Sequence, residues 1–255
     1  MRRSTAIAAN ELRILRRDPA WIVLLFVIPL ILVGLMRGGV HFILVLTGHP
    51  NASGADFSVP AQAVTFVFYL PGLIGISFLR EHGWATWSRL RASGTPRVQI
   101  LVGKVLPIAI LGLCQMAVVF GIGDAAYGLH IKGSKWGVVV ITSVLVLTVI
   151  AMGLAITVVV RTMQQLNAVA NIVPVALGAL GGALMPLVTL PTWVHRVAPA
   201  TPQYWAMRSF DQLILDGAGL SAALLPSIVL LSFAAAFAVV AVLGLRATER
   251  RLAFG

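Results

Sequence analysis

Long apolar stretches alternate with short polar ones along almost the entire chain. Six of the apolar stretches are long enough to cross a bilayer, whose hydrocarbon core requires about 20 consecutive, mostly apolar helical residues. Their expected bounds are about residues 19–36, 59–79, 105–123, 136–160, 166–188 and 220–245, with an extension of the first span through the apolar residues 40–46 as an alternative. We therefore predict an all-α polytopic membrane protein with six transmembrane helices, in which residues 1–255 form a single transmembrane domain.

The first 18 residues follow a different pattern, that of an amphipathic helix lying on a membrane surface. Ala8, Leu12 and Leu15 recur at helical spacing and predict one apolar face. Arginines on the other side suit an anionic lipid surface. The arginines expected to face water are Arg13, Arg16 and Arg17. Asp18 and Pro19 are expected to end this helix and start the next, because aspartate caps helices and proline is tolerated at their first position.

The longest polar interruption, Arg80–Lys104, separates the second and third apolar stretches. It contains four arginines, one lysine, one glutamate and two tryptophans. A charge at the bilayer centre costs about 3 kcal/mol, whereas tryptophan favours the membrane–water interface. We therefore expect this segment at the interface, with its arginines directed towards water.

A second unusual stretch, residues 189–219, precedes the last apolar stretch and is neither fully apolar nor fully polar. Three prolines interrupt it. Met207, Phe210 and Ile214 fall on one helical face, and polar side chains fall on another. This pattern predicts a short amphipathic or re-entrant helix at the outer membrane interface.

Composition supports a membrane protein and its charge distribution predicts an orientation. The chain is 59% hydrophobic and 11% charged, with a mean hydropathy of +0.96, whereas soluble domains are about 25% charged. The net charge of +11 does not indicate nucleic-acid binding here, because the basic residues lie between apolar stretches. Of these residues, 14 fall on the side of the termini and 5 on the other. We expect both termini in the cytoplasm, in a bacterial inner membrane, with anionic lipids as contacts.

The sequence lacks the motifs of an ATPase or of a metal-dependent enzyme. Gly103-Lys104 is the nearest approach to a phosphate-binding loop, but the first glycine and the final serine or threonine of that motif are missing. The five histidines lie outside the centres of the predicted spans, and Cys114 is the only cysteine. We expect no catalytic residue, no bound metal and no bound cofactor.

Three segments together resemble the type-2 ABC transporter permeases, the membrane subunits of ATP-driven exporters. The segments are NELRILRRDPAWIVLLFVIPLI, FLREHGWATWSRLRASGTPRVQILVGK and MPLVTLPTWVHRVAPATPQYWAMRSFDQLILDG. They look like the connecting helix of that family leading into its first span, its loop between spans two and three, and the stretch before its last span. The resemblance covers nearly the whole chain, and the loop is its most specific part.

The resemblance implies a pathway formed by two permeases, either identical copies or sibling chains, driven by two cytoplasmic nucleotide-binding ATPases that hold ATP and Mg. It also implies that the connecting helix and a short coupling helix between spans two and three dock onto those ATPases. The residues expected to make this coupling contact are Arg80, Glu81, Trp84, Trp87, Arg89 and Arg91. Interface anchoring by the tryptophans and topology setting by the arginines is the alternative for the same residues.

Polar or aromatic groups inside the predicted spans are candidates for a substrate path. Thr65 and Phe68 are among these groups, and the candidates chosen are Phe66, Tyr69, Gln115, Asn167 and Asn171. Polar groups should face the bundle because lipid cannot hydrogen-bond them, although contacts between helices would place them in the same way. A path with so few charges favours hydrophobic or amphiphilic cargo, with drug or antibiotic efflux preferred. The alternatives are export of a lipid, lipid-linked glycan or haem-like molecule, and a non-transporting scaffold.

Overall fold

The computed structural model describes residues 2–83 and 96–253, and all regular secondary structure in these two ranges is helical. The helices, in chain order, are α1 (Arg2–Arg17), α2 (Pro19–Leu46, with a π-helical turn at Val23–Val27), α3 (Gly54–Val67), α4 (Leu70–Gly83), α5 (Arg97–Tyr127), α6 (Lys135–Val159), α7 (Met163–Leu180), α8 (Thr192–Val197), α9 (Pro202–Ile214) and α10 (Leu224–Ala253). Six helical units in the described ranges are long and apolar enough to span a membrane, with α3 and α4 forming one of them. The predicted all-α fold with six spans is confirmed.

The α3–α4 unit forms the centre of the bundle. In its most apolar 18-residue window, 72% of the residues are buried, compared with 17% in each of α2, α7 and α10. The unit packs against α2, α5, α6 and α7, while α10 packs mainly against α6. The outer helices therefore present long apolar faces to their surroundings, as expected of a chain whose solvent is lipid.

The first span is longer than predicted because Arg37-Gly38-Gly39 does not end it. The helix continues to Leu46, although each interior glycine costs about 1 kcal/mol relative to alanine. Val40 and Leu44, beyond the glycines, are 5% and 3% exposed in the core. This burial, together with that of Val33 before the glycines, offsets their helix-breaking tendency, so the span includes the alternative extension through residues 40–46 and does not end at residue 36.

The second span begins earlier than predicted and is interrupted in its middle. α3 starts at Gly54, where a capping box of Ser53 and Asp56 closes the first turn. The helix breaks at residues 68–69 and resumes at Leu70 as α4. Pro71 follows the break, and proline has no N–H with which to continue the hydrogen bonds of α3. Pro71 therefore accounts for an interruption at this point of the span.

The third and fifth spans also differ from their predicted bounds, and glycine explains where both of them end. α5 starts at Arg97, well inside the predicted polar interruption, and ends before Gly128, whose φ of 72° is left-handed. α7 ends at Leu180, short of residue 188, because Gly182 has a φ of 77°. Left-handed glycine is a common helix terminator because it has no Cβ to clash.

Candidate functional site

Helix α1 lies along the first part of α5, but not on the face that the sequence predicts. Leu12, assigned to the apolar face, is 45% exposed, whereas Glu11 is only 9% exposed. Ala8 and Leu15 lie on either side of Glu11 and are half-buried. The face that packs against α5 is therefore centred one residue earlier than predicted, and it carries a carboxylate in its middle.

The partner of Glu11 is Lys104, which lies two turns inside α5. Its side chain is 0% exposed and its Nζ donates to Glu11 Oε1 at 3.0 Å. The same Nζ donates to the carbonyl oxygen of Ser77 on α4 at 2.8 Å. The ring of Phe78 covers it, with the centroid 5.1 Å from Nζ. Lys104, the last residue of the predicted interfacial segment Arg80–Lys104, is therefore buried between helices.

One ammonium group thus joins α1, α4 and α5 at the same end of the bundle. Burying two charges is costly unless they are paired and hydrogen-bonded, and both conditions hold here. Sequence reasoning missed this site. The available indications were a single glutamate on the apolar side of an arginine-rich helix and a lysine that continues into an apolar stretch.

The predicted coupling residues are only partly within the described structure. α4 ends at Gly83 and α5 starts at Arg97, both at the end of the bundle where α1 packs. Arg80 and Glu81 belong to the last turns of α4, but their side chains lie outside the described structure. The predicted residues that lie wholly outside it are Trp84, Trp87, Arg89 and Arg91. Their coupling role stays a prediction.

The structure describes the side chains of two of the three arginines predicted to face water on the connecting helix, α1. Arg13 and Arg17 are exposed, as expected for residues facing water or lipid headgroups. The side chain of Arg16 lies outside the described structure. Asp18 Oδ1 accepts a hydrogen bond from Ala20 N at 3.1 Å, with Pro19 in the first turn, so Asp18 caps α2 as predicted.

Two of the predicted substrate-path residues lie inside the packed chain. Gln115 is 0% exposed, and its Nε2 lies 3.4 Å from the carbonyl oxygen of Ala63 on α3. Phe66 is 6% exposed and stacks on Tyr69 with 5.6 Å between ring centroids. Gln115 therefore makes a contact between helices, Phe66 packs on a ring in its own span, and both side chains are buried and line no open surface. Tyr69 is half-buried at the break between α3 and α4.

The two asparagines of α7 have the opposite placement. Asn167 and Asn171 are both exposed, and Asn171 Nδ2 donates to the carbonyl oxygen of Asn167 at 2.7 Å. The preceding residues in the sequence, Leu166 and Ala170, pack against glycines of α4. The asparagines thus lie beside the contact with α4, on the outward side of a span. Polar groups in this position favour a cavity or another chain over lipid.

At the opposite end of the bundle, Asp56 ties two loops together. Its carboxylate is 1% exposed and accepts from Ser53 N at 2.8 Å and from His130 N at 2.8 Å. Ser53 Oγ also lies 2.8 Å from the carbonyl oxygen of Gly128. These contacts join the loop after α2 to the loop after α5, so they stabilise the fold at this end.

Helix α9 packs into this opposite end through the face that the sequence predicts. Met207, Phe210 and Ile214 are at most 3% exposed. Asp211, on the same helix, has an Oδ1 that no donor in the described part of the chain reaches. Burial, followed by the nearby charge of Asp216, raises the pKa of Asp211 to about 7. Its carboxyl group therefore titrates near neutral pH.

Comparisons with known proteins agree on one class. Residues 4–215 match the family described as ABC-2 type transporter. The linearmycin resistance permease protein LnrN of Bacillus subtilis (strain 168) is 28% identical over 187 residues, which are 72% of this chain and 48% of that protein. The probable multidrug ABC transporter permease YbhS of Escherichia coli (strain K12) is 27% identical over 178 residues, covering 66% of this chain and 45% of that protein.

A eukaryotic protein shows a similar likeness. ABC transporter G family member 20 of Dictyostelium discoideum is 28% identical over 177 residues, which are 68% of this chain and 24% of that protein. The chain therefore spans about half the length, or less, of the relatives that it matches.

Proposed function

Because the chain belongs to the ABC-2 type transporter family, we propose that it is the transmembrane permease subunit of an ATP-driven exporter. The family match confirms the resemblance predicted from the three sequence segments. Members of this family are membrane transport subunits rather than catalysts, and the ATPase activity lies in a partner subunit. ATP and Mg would accordingly be bound by a separate nucleotide-binding protein.

The observation that carries this proposal is the meeting of three elements at one end of the bundle. The amphipathic helix α1, the last turns of α4 and the start of α5 meet at Lys104, whose Nζ donates to Glu11 and to the carbonyl oxygen of Ser77. A surface of this kind would receive a cytoplasmic ATPase and transfer its motion to the spans as a rigid-body displacement. This end would be cytoplasmic, together with both termini, in a bacterial inner membrane.

The proposed cargo is a hydrophobic or amphiphilic molecule, with drug or antibiotic efflux favoured. Two similar proteins are named for linearmycin resistance and for probable multidrug transport. The exposed asparagines Asn167 and Asn171, together with Tyr69, would face a second permease copy or a sibling chain, and the path would run between the two chains. Gln115 and Phe66 would reach the path only if the helices around them move. Export of a lipid, lipid-linked glycan or haem-like molecule is the second candidate.

Capture of the ATPase tests the coupling part of the proposal. The tagged chain is purified from its own membranes in mild detergent, and the proteins that accompany it are identified by mass spectrometry. We expect an ATPase with a phosphate-binding loop, and we expect Trp87→Ala to lose it. Trp193→Ala is the matched control, because Trp193 is 60% exposed on α8, away from the proposed docking surface. Absence of any ATPase from the unaltered chain would favour a scaffold instead.

Resistance tests the cargo. Co-expression of the chain with the captured ATPase in a sensitive bacterium should raise the linearmycin concentration needed to stop growth. Inverted membrane vesicles should take up linearmycin only when ATP is supplied. If neither effect occurs while the ATPase is still captured, drug efflux is ruled out for this compound, and labelled phospholipid becomes the next cargo to assay in the same vesicles.

A further inference from the structure

The contact between Glu11 and Lys104 has a feature that stability alone does not explain. Paired buried charges are often no more stabilising than apolar side chains of similar volume, although losing only one partner is harmful. Half-buried apolar side chains of α1, among them Ala8 and Leu15, also contribute to the contact with α5. A charged pair adds what apolar contacts lack, namely hydrogen bonds with fixed directions and lengths.

Directional bonds matter here because α1 could otherwise slide along α5. Apolar faces are non-directional, and packed helices can shift past one another by one turn, about 5.4 Å. Such a shift would carry the Glu11 carboxylate away from Lys104 and break a hydrogen bond to a fully buried ammonium. The bond from Lys104 to the carbonyl oxygen of Ser77 ties the same ammonium to α4. A single group therefore defines the position of α1 relative to both helices.

We propose that Glu11 and Lys104 form a positioning pair that fixes α1 on α4 and α5, so that a displacement of α1 is carried into both helices. This inference rests on the proposed function, in which α1 belongs to the surface that receives the ATPase. It adds that the transfer depends on one buried ion pair near that surface. The pair touches neither cargo nor nucleotide and acts only by holding α1 in place.

The test compares α1 in the unaltered chain with α1 in a double variant, Glu11→Met with Lys104→Met. Methionine has a length similar to both side chains and carries no charge, so the contact stays filled. Spin labels are placed at Arg13→Cys on α1 and Arg161→Cys between α6 and α7, after Cys114→Ser removes the native thiol. Arg13, Arg161 and Cys114 are all exposed in the single chain. The full chain is studied in lipid nanodiscs.

We expect a narrow distance distribution in the unaltered chain and one at least about twofold broader in the double variant, with the melting temperature nearly unchanged. Arg17→Met, which removes an exposed charge from the same helix, should leave the distribution narrow. An equally narrow distribution in the double variant would overturn the proposal. If the double variant does not fold, Glu11→Asp replaces it, because a shorter carboxylate keeps the charge but weakens the bond. An unaltered width in Glu11→Asp would also overturn the proposal.

A second measurement connects the pair to transport. The double variant, co-expressed with the captured ATPase, should lose at least about tenfold in linearmycin transport per ATP hydrolysed, while the complex still forms. Full transport per ATP with a broadened distance distribution would overturn the claim that the pair transmits motion. If the unaltered chain transports no linearmycin, the proposed cargo fails, and the spin-label widths still decide whether the pair positions α1.

Discussion

The buried ion pair of Lys104 with Glu11 and the exposed contact of His49 with Asp216, which is an ion pair only when the histidine is protonated, have almost equal lengths and lie at opposite ends of this molecule. Lys104 Nζ is 3.0 Å from Glu11 Oε1, and His49 Nε2 is 3.1 Å from Asp216 Oδ1. The side chains of the first pair are 0% and 12% exposed, whereas those of the second are 31% and 56% exposed. Distance alone would predict equal contributions to stability from the two contacts, but their different exposure to water makes those contributions different.

The difference follows from what water can do after one partner is lost. At the exposed end, water solvates the remaining group and screens the pair while it exists, so the pair adds about 0–1 kcal/mol. At the α1 end, the fully buried ammonium of Lys104 has no access to water, so losing Glu11 favours either neutralising that ammonium or moving the helices apart. The buried pair therefore constrains the structure, and the exposed pair mainly links two loops.

The largest expected effect is that of breaking the buried pair from one side only. Glu11→Met leaves Lys104 charged and fully buried, and we expect a loss of about 3–5 kcal/mol in stability. Lys104→Met should cost less, because the abandoned Glu11 side chain is 12% exposed and can regain water. The melting temperature and folded yield of both variants in detergent measure this asymmetry. Equal losses would show that the two charges are equally accessible to water.

The sequence predicts the six spans well because hydropathy over a long window has few alternative explanations. Lipid excludes unpaired backbone groups, so each apolar stretch has to form a helix. The ends of the helices were less predictable. Gly38 and Gly39 continue a helix while Gly128 and Gly182 terminate one. The tertiary packing of the residues beyond each glycine decides whether the helix continues or ends. A local sequence pattern does not show how those residues pack.

The candidate site was harder to predict for a similar reason. Glu11 and Lys104 are 93 residues apart in the sequence, and no local spacing relates them. The apolar face of α1 could be centred on Glu11 or on Leu12, which are neighbours at about 100° around the helix. Only the contact with α5 selects Glu11. The roles of Trp84 and Trp87, by contrast, stay predictions from the family resemblance.

The next largest effect concerns close packing at the end that holds the exposed pair. A Cβ added at Gly54 would collide with the backbone carbonyl of Arg37, which cannot rotate away. We expect Gly54→Ala to cost about 3 kcal/mol, at the upper range for overpacking. Gly39→Ala is the matched control, since nothing lies within 4 Å of its added Cβ. Thermal unfolding in detergent compares the two variants, and a harmless Gly54→Ala would mean that α2 and α3 can separate there.

A smaller effect is expected from Asp211, and it depends on pH. Burial raises the pKa of Asp211 from 3.8 to about 7, so the folded chain holds this proton more tightly than the unfolded chain does. The native state is therefore favoured below pH 3.8, and that advantage is lost as the pH rises to about 7. Asp211→Asn removes the cost of ionisation and should stabilise the chain by about 2 kcal/mol more at pH 8 than at pH 5.

Thermal melts of the unaltered chain and of Asp211→Asn at the two pH values measure this difference. Asp124→Asn, a change of an exposed aspartate near the end of α5, serves as the control. A stabilisation by Asp211→Asn that is equal at both pH values would contradict the raised pKa. It would instead indicate a new hydrogen bond made by the introduced amide.

The smallest effect is expected for the exposed pair itself, and it is the most direct test of the comparison. His49→Ala removes the contact with Asp216, whose side chain is 56% exposed and remains solvated. We expect a loss of no more than about 1 kcal/mol, and a smaller one in high salt because exposed charges are screened. Melts at low and high ionic strength provide the measurement. A loss as large as that of Glu11→Met would show that neighbouring loops protect the contact from water. The exposed fractions of His49 and Asp216 would then not predict how much the contact contributes to stability.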